Sequence, residues 1–91
     1  MTTYTVRFKP TAAAVIRKLP RDDRKRVVAK AEALALGPRP TGAIKIAGHD
    51  LWRVRIGNYR MLYSIEDDIL LVTIVRVGHR GQGVYENLHT H

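Results

Sequence analysis

The stretch from Leu51 to Ile65, LWRVRIGNYRMLYSI, decides the fold. Trp52, Val54 and Ile56 alternate with Arg53 and Arg55, the two-residue period of a strand with one apolar face. Gly57-Asn58 is a two-residue turn of the kind that closes a β-hairpin. Tyr59, Met61, Tyr63 and Ile65 then resume the alternation. Such a turn sets Ile56 opposite Tyr59, and therefore Arg55 opposite Arg60, with Cβ atoms about 4.5–5.5 Å apart. Arg53, two residues back, falls on the same face. Like charges directly opposed destabilise a hairpin by roughly 0.2–1 kcal/mol per pair, a cost that Thr or Glu at either position would avoid. An anion held between the arginines removes that cost. Phosphate is the best match, because planar guanidinium groups bind its oxygens two at a time. The acids that might otherwise neutralise them are few: Asp50, and Glu66 to Asp68 at the far end of the hairpin.

Outward from the hairpin, Ile44-Lys45-Ile46 predicts a short strand before the turn Gly48-His49-Asp50, and Ile69 to Val77 predicts a last strand apolar enough for the middle of a sheet. At the other end of the chain, Tyr4, Val6 and Phe8 alternate with Thr5 and Arg7, an opening strand. Thr11 is the expected N-cap of a helix to about Leu19, which Pro20 interrupts. Asp22 and Asp23, in the first turn of a second helix, suit its dipole. Val27, Ala31, Leu34 and Ala35 form its apolar stripe to about Leu36, with Gly37 as C-cap. The order β-α-α-β-β-β-β predicts an α+β domain, with a helical hairpin on one face of a twisted, mainly antiparallel sheet.

The 91 residues carry 16 Lys and Arg against 8 Asp and Glu, a formal charge of +8 that points to a polyanionic partner, an acidic protein, or both. A chain of this length is expected to form one domain, residues 1–91, with about 86–91 as a flexible tail. Without cysteine there are no disulfides or thiolate metal sites, which suits a reducing cytoplasm. No apolar stretch approaches the roughly 20 residues that span a bilayer, so no membrane partner is expected. No phosphate-binding glycine loop, H-E-x-x-H or paired-carboxylate pattern is present, and no cofactor or metal is expected. The His89-Thr-His91 ending does not read as a metal site. After the last strand come Val77-Gly-His-Arg80 and then Gly81-Gln-Gly-Val-Tyr85. Histidine is the side-chain type most used for proton transfer, which makes His79 a candidate; Arg80 is a further cation, and Tyr85 a stacking or hydroxyl-donating group.

The stretch from Leu51 to Ile65, followed by Val75-Arg-Val-Gly-His-Arg80 and Val84-Tyr85, resembles the RelE/ParE family of bacterial and archaeal toxins. The opening strand, the basic helical hairpin and Gly37-Pro-Arg-Pro40 fit as well, so the resemblance covers nearly the whole chain. It implies a toxin of a type II toxin–antitoxin module, bound by a cognate antitoxin. For RelE-like members it further implies a ribosome-dependent mRNA endonuclease that uses the mRNA 2′-hydroxyl as nucleophile. Arg53, Arg55, Arg60, Arg80 and Tyr85 fall where RelE-like toxins keep their active residues. RelE-like nucleases often place lysine where Arg53 and Arg55 stand, and arginine does not serve as a base. His79 is then the candidate base, unless rate comes from positioning and charge alone. ParE-like members inhibit DNA gyrase instead, and a third alternative is an inactive toxin that only binds its antitoxin. Arg17, Lys18, Arg21, Arg24, Lys25, Arg26 and Lys30 on the helical hairpin suit an acidic antitoxin segment or ribosomal RNA.

Overall fold

Each expected element forms, with edges moved by local chemistry. The computed structural model describes residues 3–79. In chain order the elements are β1 (Thr5–Phe8), α1 (Pro10–Arg17), α2 (Arg21–Ala33), β2 (Ile44–Lys45), β3 (Trp52–Ile56), β4 (Tyr59–Glu66) and β5 (Leu71–His79). The five strands make one sheet in the order β1-β5-β4-β3-β2. Every pairing is antiparallel except β1 with β5, which is parallel: the two helices carry the chain from β1 to β2 at the far edge, and three antiparallel returns bring it back beside β1. This is the expected α+β architecture, with the apolar β5 inside the sheet.

Several boundaries differ from expectation. Thr11 does not cap α1: the N-cap is Lys9, and Pro10 occupies the first turn. Its fixed φ is pre-organised for a helix start, and its missing N–H is one that the first turn leaves unbonded anyway. α2 ends at Ala33 rather than near Leu36, and its C-cap is Leu34 rather than Gly37. The β2 strand is two residues long rather than three. β5 starts at Leu71 rather than Ile69, because Leu70 turns the chain at φ 51°. It continues through Gly78 and His79, two residues past the expected end at Val77.

Both helices pack on one face. Ala12 and Ile16 of α1 and Val27, Ala31 and Leu34 near α2 meet Val54, Ile56, Tyr59, Met61, Tyr63, Ile65, Val72, Ile74 and Val77 of the sheet. Tyr63 is fully buried, and its hydroxyl donates to the Pro38 carbonyl oxygen at 2.7 Å. Burial pushes that hydroxyl up to about 12, so it stays a donor. Arg39, whose guanidinium lies 5.3 Å from the centre of the Trp52 ring, donates to Asp67 at 2.8 and 3.2 Å, and the Tyr4 hydroxyl donates to the same carboxylate. The segment after α2 is thereby tied to both β1 and the β4–β5 turn.

The bonds from Arg39 and Tyr4 hold the Asp67 carboxyl below its usual range, and bonds from Arg26 and Tyr59 do the same for Asp23. A depressed folded-state pKa stabilises the fold above the unfolded value, near pH 4, and that contribution disappears as pH falls through the folded value. The melting temperature is therefore expected to drop on acidification below about pH 4, more steeply for wild type than for Asp67→Asn. Thermal melts of the two proteins between pH 2 and 7 check this, and parallel curves would contradict it.

Candidate functional site

The β3–β4 hairpin closes in the expected register. Ile56 faces Tyr59, Arg55 faces Arg60, Val54 faces Met61 and Arg53 faces Leu62. Gly57 sits at φ 58° at the first central position, as a type II′ turn requires. A Cβ there would lie 3.7 Å from the Arg26 guanidinium, an ordinary contact, so the obstacle to substitution is the left-handed backbone. Gly57→Ala is expected to cost about 1–2 kcal/mol in chemical denaturation, the usual cost of left-handed backbone for a residue with a Cβ. An unchanged midpoint would rule that out.

Since Val54 and Ile56 point into the helix-side core, Arg53 and Arg55 stand on the opposite face, where Arg60 joins them. The ion pairs among the described residues are Arg26 with Asp23, Arg39 with Asp67 and Lys45 with Asp50. Two of the acids that might have neutralised the hairpin arginines, Asp50 and Asp67, are thus committed to other cations. Arg53 Nε is shielded from solvent and has no hydrogen-bond partner among the described residues.

Sequence reasoning missed two features of this face. The first is an apolar seam. Leu62, between Arg53 and Arg76 in the pairing, is fully buried together with Leu51 and Val75, and Ile46 packs against them. Low-polarity surroundings strengthen the field of the arginines beside them. The second is a wider basic field. An irregularity in β5 pairs Tyr63 with Ile74 but Leu62 with Arg76, leaving Val75 over. That shift puts Arg76 on the arginine face instead of the helix face. Arg7, paired with Thr73, reaches the same face from β1. Alternation sets Arg7 apart from Tyr4, Val6 and Phe8, but only the pairing with β5 places it on this face, and only the bulge places Arg76.

His79, by contrast, does not join the arginines. It pairs with Tyr59, and the two rings lie 4.5 Å apart on the helix side of the sheet. The Tyr59 hydroxyl donates to Asp23 at 2.9 Å, and Arg26 pairs with the same carboxylate. The sheet therefore separates the His79 ring from the face bearing Arg55 and Arg60. Arg80 and Tyr85 lie outside the described residues.

A two-helix layer thus covers one side of a small sheet, and arginines cluster on the other. Comparison with known proteins makes the class specific. The family model for the ParE toxin of type II toxin–antitoxin systems, parDE, matches residues 6–84. The chain is 37% identical over 84 residues to Toxin RelG of Mycobacterium tuberculosis, covering 85% of this chain and 91% of that one. Among solved structures, the RelBE toxin–antitoxin complex of Mycobacterium tuberculosis aligns with a TM-score of 0.76 at 36% identity, covering 86% of this chain and 99% of that chain. The archaeal RelE–RelB complex of Pyrococcus horikoshii aligns with a TM-score of 0.76 at 26% identity, covering 90% and 99%. The chain belongs to the RelE/ParE superfamily, as a toxin of a type II toxin–antitoxin system.

Proposed function

We propose that the chain is a ribosome-dependent mRNA endonuclease, and that the face bearing Arg53, Arg55 and Arg60 holds the RNA backbone at the cut. The observation that carries this reading is Arg55 directly opposite Arg60 on a face where two of the nearby acids, Asp50 and Asp67, pair with other cations. In the reaction the 2′-hydroxyl gives its proton to water as its oxygen attacks the adjacent phosphorus, the bond from phosphorus to the 5′-oxygen breaks to leave a 2′,3′-cyclic phosphate, and the 5′-oxygen takes up a proton from water as it leaves. Arg55 and Arg60 grip the non-bridging oxygens and stabilise the charge gathering on them. Arg53 orients the 2′-hydroxyl or binds a neighbouring phosphate. Arg80 aids the leaving oxygen, and Tyr85 stacks on a base. The place of the His79 ring across the sheet speaks against its acting as base, so rate is assigned to positioning and charge.

The partners proposed are the ribosome with its mRNA, and a cognate antitoxin, as the relatives solved with an antitoxin suggest. The likeness to Toxin RelG and to RelE structures favours this reading, while the ParE family model keeps gyrase inhibition as the rival. Purified chain added in parallel to a translation extract and to a gyrase supercoiling reaction separates the two. Translation is expected to stop at concentrations that leave supercoiling intact, and the reverse result would establish the rival.

A further inference from the structure

The outer edge of β3 is left open where β2 stops. Ile44 with Arg53 is the last pair of the two strands, and Gly42, at φ 93°, is in a backbone conformation that residues with a Cβ rarely adopt. The chain on the N-terminal side of Ile44 makes no further pair with β3, so Val54 and Arg55 have no strand on that side. A cleft of about 370 Å³ results, bounded by Lys30 of α2, by Thr41, Gly42 and Ile44, and by Arg53 and Arg55. That volume lies within the usual range for small-ligand sites.

Three cations line this cleft and no acid does. Lys30 is half-buried and belongs to none of the ion pairs among the described residues. Arg53 also borders the cleft, and its guanidinium is in none of those ion pairs. Cations gathered around one space without an acid are what a bound anion would neutralise.

We propose that this cleft is a second phosphate subsite, in which Lys30 and Arg53 hold the phosphodiester next to the one gripped on the sheet face. The inference rests on the RNA-cleaving reading and deepens it. RNA fits better than an acidic peptide because Arg53 and Arg55 border both the cleft and the sheet face. Set two residues apart, about 6.6 Å along the strand, they form a continuous track suited to a ligand whose anions repeat at short, regular intervals. The guanidinium groups match phosphate geometry, and Lys30 adds a point charge at the inner end.

The test is binding of a fluorescent, unstructured single-stranded RNA oligonucleotide to the full chain across a salt series. Lys30→Gln is expected to weaken binding roughly tenfold and to lower the slope of log affinity against log salt by about 0.7, the share of one single-strand phosphate contact. Lys30→Arg should keep both. Thr41→Glu, a new negative charge on the exposed rim, should weaken binding without touching the core, and it stands in if Lys30→Gln does not fold. Arg60→Ala is measured alongside. If Arg60→Ala weakens binding while Lys30→Gln and Thr41→Glu do not, the subsite is overturned and the RNA reading stands. If none of the three weakens it, the RNA reading falls too. If Lys30→Gln spares RNA but abolishes binding of a polyglutamate peptide, the cleft is a protein-docking site and the proposal is wrong.

Discussion

Replacing Arg60 with alanine is expected to lower mRNA cleavage by roughly 10²–10³-fold, the loss seen when one preorganised donor to a developing oxyanion is removed. Arg60 faces Arg55 across the hairpin, so its removal relieves one like-charge pair, and any change in stability should be small beside the loss of activity. Loss of activity without loss of stability is the signature of a group whose place is set by the anion it binds. Arg60→Lys should fall between, since it keeps the charge but loses the two-pronged grip. Cleavage rates in a translating extract, paired with thermal melts, decide the matter. Equal rates for wild type and Arg60→Ala would remove Arg60 from the mechanism. A matching fall in melting temperature would make its role structural.

The second large effect falls on the apolar seam. Leu62→Ala should cost about 2–5 kcal/mol, the usual range for emptying a buried leucine site. Leu62 is fully buried with Leu51 and Val75. Against a total stability of about 5–15 kcal/mol that loss is severe. At roughly 4–8 °C per kcal/mol for a domain of this size, the melting temperature should fall by about 10 °C or more. Ile69→Ala, at a position 60% exposed in the β4–β5 turn, should change stability by less than about 0.5 kcal/mol. A small effect at Leu62 would mean that the seam packs loosely and contributes little to holding Arg53 and Arg76 in place.

The sequence made the hairpin legible because three signals agreed there: the alternation from Trp52 to Ile56, the Gly57-Asn58 turn, and the renewed alternation from Tyr59 to Ile65. Side-chain period and turn length together leave one register, and the register alone places Arg55 against Arg60. Helix ends were less legible. Pro10 reads as a breaker and also as a helix opener, and only its place after a strand that turns at Lys9 selects the second. Arg76 was hidden for a different reason. The irregularity at Leu62 and Tyr63 shifts the face of every residue beyond it, and nothing local in Thr73-Ile-Val-Arg76 announces that. His79 shows the limit of proximity in sequence: it follows the arginine-bearing strand closely, yet its ring belongs to the Tyr59 and Asp23 side. The edge cleft at Lys30 needs two non-local facts, the short β2 and the approach of α2, and could not be read from the chain.

The most direct test of the central claim is primer extension on a reporter mRNA incubated with the wild-type chain, with and without ribosomes translating it. Discrete cuts within the translated region that vanish without ribosomes, and that Arg60→Ala fails to make, are the expected result. Intact mRNA under both conditions, with supercoiling by gyrase blocked at the same protein concentration, would contradict it.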